Sequence, residues 1–362
     1  MNEKKKINEI LKFIQKDSKK LKAGINLMEI CGTHTMAISR YGIRSLLPEK
    51  IRLISGPGCP VCVTPVSEID RAIELSSIKD VIMTTFGDMI KVPGTRSSLM
   101  REKAGGSDVR IVYSPLDALD VARKNKDRKI IFIGVGFETT APLIASVVKQ
   151  AKQEKMTNFF VLPCFKTIIP PMVTLLEDRD LNLNGFICPG HVSAITGAKI
   201  YEPIVKKYKI PCVIMGFEPL DILNGISMMV RQIINGNPKV EIQYKRAVTF
   251  EGNTKAQELL KEVFIKTDSR WRGLGMIPES GLTFSDDYAE FDATKKFKID
   301  VSYSREPSGC KCGDVLKGKV TPFDCPLFGK KCTPANPAGA CMVSSEGTCA
   351  AYYKYERQGV LL

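Results

Sequence analysis

Eight short apolar segments alternating with stretches of helical spacing constrain this 362-residue chain more than any other feature. Strands are expected at 26–30, 51–55, 80–84, 110–113, 129–135, 159–162, 185–188 and 211–215. Helices are expected between them, among others at 65–77, 115–125, 142–152 and 219–234. Strands that are apolar on both faces and separated by helices belong to parallel sheets covered on both sides. These four helices open on Pro, whose missing N–H is not needed in a first turn. The expected fold class is α/β.

A weak internal repeat divides the chain further. NLMEIC, ending at Cys31, is followed by a helix and then by IRLISGPGC, ending at Cys59. FFVLPC, ending at Cys164, is followed by a helix and then by GFICPGH, ending at His191. Two similar lobes with mostly parallel sheets are therefore expected, at 24–125 and 126–235. Ligands of open α/β sheets sit at the carboxyl ends of strands, so the Cys31, Cys59 and His191 turns should face clefts. From 236 the texture changes: 239–250 reads as a strand, 255–265 as a helix, and 270–284 is rich in Gly. The expected third unit, 236–362, is cysteine-rich, and the Lys-rich N-terminal helix, 1–23, is a candidate to pack with it.

Composition enters through cysteine and charge. The N-terminus lacks the apolar run of a secretory signal, and no stretch has the ~18 apolar residues of a membrane span. Twelve cysteines without an export signal imply a reducing compartment, the cytoplasm, and so metal ligands or redox thiols before structural disulfides. The net charge of +14 is spread along the chain and aromatics are 7%, so no platform for nucleic acid is expected.

Six cysteines lie in forty residues: Cys310, Cys312, Cys325, Cys332, Cys341 and Cys349. Zinc sites usually show paired close spacings, whereas wide spacing through Gly- and Pro-rich loops suits a [4Fe–4S] cube approached from several directions. Spacing does not select four ligands from the six, and zinc and disulfides remain alternatives. Metal binding would supply folding energy to a segment with little apolar periodicity. Cys59-Pro60-Val61-Cys62 is a C-x-x-C at a helix start, a redox pair or two soft metal ligands. Cys31 ends a strand, and His34, one of only two histidines, stands beside it. A neighbouring imidazole can stabilise a thiolate or hold a ligand in place. His191 occupies the matching turn of the second lobe, while Cys164, Cys188 and Cys212 read as core residues. Gly134-Val135-Gly136 lacks the third Gly of a dinucleotide turn, and no P-loop is present. Glu138, Thr139 and Thr140, which follow it, cap a helix or line a cleft.

The stretches MEICGTHTMAISR (Met28–Arg40), GPGCPVCVTP (Gly56–Pro65), FETTAP (Phe137–Pro142) and PGHVSAI (Pro189–Ile195), with the tail spacing, resemble the HypD family of [NiFe]-hydrogenase maturation factors over nearly the whole chain. The resemblance implies a scaffold for assembling an Fe(CN)2CO unit. It implies that Cys31 holds the iron jointly with a HypC-type small chaperone, and that a HypE-type protein donates cyanide. It further implies a [4Fe–4S] cluster on Cys310, Cys325, Cys332 and Cys349, with Cys312 and Cys341 left over. Cys59 and Cys62 would then pass electrons or help ligate the iron. Soft thiolates suit an iron carrying CN⁻ and CO. A cluster-dependent thiol–disulfide oxidoreductase is the alternative, and a zinc-holding binding module the third reading.

Overall fold

A computed structural model describes residues 3–356, so the ends of the expected first and last units, 1–2 and 357–362, lie outside the described residues. The strands among the described residues are β1 (Ile25–Glu29), β2 (Ile51–Ser55), β3 (Val81–Thr85), β4 (Val109–Ile111), β5 (Lys129–Gly136), β6 (Phe159–Lys166), β7 (Gly185–Pro189), β8 (Cys212–Met215), β9 (Val240–Ile242), β10 (Phe264–Trp271) and β11 (Gly275–Phe284). All eight expected strands are present. They form two sheets, ordered β2-β1-β7-β8-β9 and β10-β11-β6-β5-β3-β4. The first is wholly parallel; in the second only the β10–β11 hairpin and its junction with β6 are antiparallel. The class is α/β with mostly parallel sheets. No described helix is long and apolar enough to cross a membrane.

The central strands of both sheets are buried on both faces, which explains the uninterrupted apolar runs. Successive side chains point to opposite faces. Met28, Ile30, Ile54, Cys188, Cys212 and Ile214 of the first sheet share one core with Met83, Ile131, Ile133, Leu162 and Cys164 of the second. Their neighbours Leu27, Leu53, Ile187 and Val213 pack outward against helices. Ile82, Ile130, Phe132 and Val161 do the same on the second sheet. Cys164, Cys188 and Cys212 are core residues, as expected.

The sheets do not follow the sequence boundaries 24–125 and 126–235. Each takes strands from both segments: the chain leaves the first sheet after β2, returns at β7, and leaves again after β9. β1 and β2 are neighbours, while β6 and β7 belong to different sheets, so the repeat in sequence is not a repeat in topology. A two-faced parallel strand accepts any neighbour that covers it, and local patterning does not specify which.

The segment from 236 is likewise not set apart. β9 closes the first sheet; it is shorter than the expected 239–250, because Gln243 and Tyr244 turn back with both N–H groups on Ile214 O. The Gly-rich 270–284 stretch holds the β10–β11 turn and β11, and the hairpin extends the second sheet. The N-terminal helix Glu3–Ser18 packs on the helix Pro219–Ile234, away from the expected partner. Its apolar residues Ile7, Ile10, Leu11 and Ile14 join the outer core of the first sheet, and Arg231 pairs with Asp17 at 3.5 Å.

The hairpin turn joins two cysteine segments. Arg272 donates from its backbone to Val63 O at 2.8 Å and from its guanidinium twice to Thr64 O, at 3.1 and 2.9 Å. Gly273, at φ +79°, lies so close to Gly313 that an added Cβ would stand 2.3 Å from Gly313 Cα. Gly273→Ala should therefore destabilise the chain by about 2–4 kcal/mol through backbone clash and left-handed strain. Urea unfolding checks this; an unchanged midpoint would mean that the turn is not packed.

Candidate functional site

The first sheet gathers its strand ends at one edge. β1 runs into Cys31 and the helix Gly32–Arg40, and β2 runs into Gly56-Pro57-Gly58 and the short helix Pro60–Val63. The two turns touch through backbone. Gly32 N–H donates to Gly58 O at 3.1 Å, and a Cβ on Gly58 would lie 2.1 Å from Cys31 N. Only glycine permits that approach. Cys59 caps its helix, its Sγ accepting Cys62 N–H at 3.2 Å, and the two cysteines are joined as a disulfide with Cα atoms 5.3 Å apart.

A third segment closes the site. Ser344-Ser345-Glu346 lies in sequence between Cys341 and Cys349. Ser344 Oγ stands 3.3 Å from Cys59 Sγ and donates to Asp88 Oδ2 at 3.3 Å, while Ser345 donates to the same carboxylate through N–H at 3.0 Å and Oγ at 2.8 Å. Thr33 Oγ1 donates to Glu346 Oε1 at 2.6 Å, and a Cβ on Gly32 would meet Glu346 Cβ at 2.6 Å. Cys31 and Cys59 therefore both abut the loop between two of the tail cysteines. Ser344, Glu346 and Asp88 were not read from the sequence, where short polar residues in an irregular segment carry no periodic signal.

Cys31 is 7% exposed, and burial pushes its thiol up to about 12. The Glu346 carboxylate adds to that shift, while backbone N–H groups of His34 and Thr33 and the Thr33 hydroxyl oppose it. His34 thus meets Cys31 through its backbone, and its ring reaches the end of β8, where Nε2–H donates to Gly216 O at 2.9 Å. Burial holds the imidazole neutral, down to about 4, and leaves Nδ1 without a partner. The ring packs on Phe217 at 4.7 Å, and Phe217 packs on exposed His191 at 4.3 Å. The Pro189-Gly190-His191 turn thus joins the same sheet edge, two strands from Cys59.

Glu138 and its neighbours belong to the other sheet. At the end of β5, Glu138 Oε1 accepts Ile168 N–H at 3.0 Å and Oε2 has no partner. Burial pushes the carboxyl up to about 7, against the Ile168 hydrogen bond and the charge of Lys266. Thr140 precedes the helix Ala141–Gln153 without a side-chain cap bond and packs instead on Gly136; Thr139 is partly exposed.

The tail brings its thiols together. Cys312 and Cys341 sulfurs lie 2.7 Å apart. Burial raises Cys310 to about 12, with further increments from Cys312, Cys325 and Cys332. Cys349 feels Cys341, Cys312, Cys310 and Cys332. Cys332 Sγ accepts Ala338 N–H at 3.3 Å, and Gly339 leaves room for Cys310 Sγ, which a Cβ there would meet at 3.2 Å. Among the described residues no three His, Cys, Asp or Glu side chains are arranged to hold a metal ion.

These observations define a class first: a mostly parallel α/β protein in which a buried strand-end cysteine, a Cys-x-x-Cys disulfide and a six-thiol segment adjoin. Comparison with known proteins adds the family. The family model HypD, described as "Hydrogenase formation hypA family", matches residues 5–356. The chain is 47% identical over 335 residues to hydrogenase maturation factor HypD of Escherichia coli, covering 92% of this chain and 90% of that protein. It is 47% identical over 340 residues to HypD of Azotobacter vinelandii (92% and 89%) and 45% identical over 341 residues to HypD of Cupriavidus necator (92% and 90%). The chain belongs to the HypD family of hydrogenase formation and maturation proteins.

Two outcomes follow from the site's electrostatics. Glu346→Gln removes the carboxylate beside Cys31, so alkylation of Cys31 by iodoacetamide at about pH 8 should accelerate several-fold; an unchanged rate, read by peptide mass spectrometry, would separate Glu346 from the thiol. For Glu138 the folded value, about 7, lies above the usual 4.5, so the folded chain holds an extra proton between them. Its contribution to stability is present below about 4.5 and is lost as pH rises through about 7, by roughly 3 kcal/mol. Glu138→Gln should therefore gain stability relative to the parent between about pH 5 and about pH 8 in urea unfolding. An equal difference at both pH values would contradict the burial.

Proposed function

We propose that this chain is the scaffold on which the Fe(CN)2CO unit of a [NiFe]-hydrogenase site is assembled, with Cys31 as the ligand to the iron cargo. The supporting observation is that the Cys31 and Cys59 turns touch through Gly58 and both meet the loop Ser344–Glu346. Iron with strong-field CN⁻ and CO prefers a soft thiolate to a carboxylate. Cys31 is a thiol at neutral pH, so binding the iron releases its proton. Thr33 holds the adjacent Glu346 by a hydrogen bond, and the backbone N–H groups after Cys31 favour the thiolate once it forms.

The Cys59–Cys62 disulfide opens to two thiols by taking up two electrons and two protons, and it serves in this reading as the two-electron store beside the cargo. Cys310, Cys325, Cys332 and Cys349 would hold a [4Fe–4S] cluster; four soft sulfurs drawn from separate loops, with backbone N–H groups directed at Cys332, fit that group in chemistry. Such a cluster supplies one electron at a time. The partners in this reading are a small HypC-type chaperone and a HypE-type cyanide donor. A thiol–disulfide oxidoreductase is the second reading, favoured by the Cys59–Cys62 bond itself.

Infrared spectroscopy of the protein isolated with its partners separates the two. Bands in the cyanide and carbonyl region are expected for the parent and absent in Cys31→Ala, while the brown cluster chromophore stays in both. Loss of bands and chromophore together would assign Cys31 to folding, and turnover of a disulfide substrate without such bands would favour the oxidoreductase.

A further inference from the structure

The two sulfurs of the Cys59–Cys62 disulfide stand in different surroundings. Cys59 Sγ accepts Cys62 N–H at 3.2 Å and lies 3.3 Å from the hydroxyl of Ser344. Cys62 is fully buried in the shared core, and among the described residues no donor reaches its sulfur. Ser344 is 1% exposed, so its hydroxyl has protein partners alone. Its oxygen accepts Glu346 N–H at 3.2 Å, which leaves its one proton two destinations, Asp88 Oδ2 at 3.3 Å and Cys59 Sγ. Asp88 does not depend on that proton. The same oxygen, Oδ2, takes Ser345 N–H at 3.0 Å and Ser345 Oγ at 2.8 Å, both closer than Ser344. A separation of 3.3 Å is long for O–H···O, which prefers about 2.5–3.0 Å, and ordinary for the larger sulfur atom. A disulfide sulfur is a weak acceptor, so in the oxidised chain the proton goes to the carboxylate. A thiolate is a strong one.

We propose that Ser344 turns its hydroxyl from Asp88 to Cys59 when the disulfide is reduced, making Cys59 the sulfur left as a thiolate and Cys62 the sulfur that takes a proton. Ser344 then sets how readily the pair is reduced, and Asp88 is a positioning residue that competes for its proton. With a dithiol as reductant the step balances. Two electrons pass from the dithiol to the S–S bond, which breaks, and the dithiol closes to its own disulfide. One of its protons goes to Cys62 and the other to water, and Cys59 remains a thiolate. Cys62 N–H, already directed at Cys59 Sγ, serves as the second donor. A charge on Cys62 would instead be buried without a donor, which is costly. Ser344 thereby couples the pair to the segment between Cys341 and Cys349. The inference rests on Cys59–Cys62 being a redox pair, which the scaffold and the oxidoreductase readings share.

Anaerobic equilibration of the full-length protein with graded ratios of reduced to oxidised dithiothreitol tests it. Acid quenching, alkylation and peptide mass spectrometry read the reduced fraction of the Cys59–Cys62 peptide. Ser344→Ala removes a hydrogen bond to an anionic sulfur and should lower the equilibrium constant for reduction about ten-fold, a shift of about 30 mV to more negative potential. Asp88→Asn keeps an acceptor for Ser345 but competes less strongly for the Ser344 proton, and should raise the constant about three-fold. Loosening of the loop would move both variants the same way, so the opposite signs separate the hydrogen bond from a structural effect. In the double variant the gain from Asp88→Asn should fall below about two-fold, because its route through Ser344 is gone. Circular dichroism and thermal melts establish that the variants are folded. An unchanged or more positive potential in folded Ser344→Ala, a more negative one in Asp88→Asn, or a gain that persists in full in the double variant would each overturn the proposal. A parent disulfide left intact at every dithiothreitol ratio would overturn the redox reading itself, a result distinct from these.

Discussion

Gly58 lies against the peptide backbone of Cys31, and the arrangement of the cysteines depends on that contact. Parallel strands β1 and β2 run side by side, so the turns that follow them are bound to meet. How closely they meet depends on what stands between. Glycine at 58 removes the last side-chain atom, and the Gly32 N–H to Gly58 O bond then fixes the two turns. A disulfide at a helix start and a thiol at a strand end become neighbours through backbone geometry alone. Side-chain contacts hold them there.

The cysteine-rich tail contributes in a different way. Among the described residues it contributes no strand to either sheet, and its short helices are linked by turns. Two of its anchors lie beside the Cys59–Cys62 helix and the Cys31 turn. Gly273 and Gly313 pack backbone on backbone, with Arg272 bonded to the carbonyl that ends the Cys59–Cys62 helix. Ser344 and Glu346 meet Cys59 and Thr33. The tail is thereby fixed against the sheet edge, and thiols far apart in sequence occupy one region. Burial pushes the thiols of Cys31 and Cys310 well above their usual range and keeps both protonated at neutral pH, a state that favours storage over indiscriminate reaction.

The neutral, buried imidazole of His34 shows how a motif can be read correctly in position and differently in role. Its place three residues after Cys31 suggested a ring that stabilises the thiolate or holds a ligand in place. The helix that begins at Gly32 instead carries the ring toward β8, where Gly216 O and Phe217 receive it. His34 meets the thiol with its backbone, and through Phe217 it links the Cys31 turn to His191. That link crosses from β1 past β7 to β8, neighbours that the sequence separates by more than a hundred residues.

Much of the secondary structure was legible because the strands are buried on both faces. Runs such as 129–135 and 211–215 have no solvent side to interrupt them, and Pro and Gly mark their ends. The hairpin at 264–284 was not, since its charged and glycine-rich strands half-face solvent and lack that signature. The clusters Cys31, Cys59–Cys62 and Cys310–Cys349 were also visible, because cysteines so dense in sequence need a chemical reason. What the chain alone determined is therefore local: which residues extend, which turn, and which carry sulfur. Only the tertiary structure decided that 24–125 and 126–235 would share both sheets, and that Ser344 and Glu346, with Asp88 holding Ser344 and Ser345, would meet the Cys59 and Cys31 turns. Apolar burial is non-directional, so patterning says that a strand face must be covered without saying by which partner.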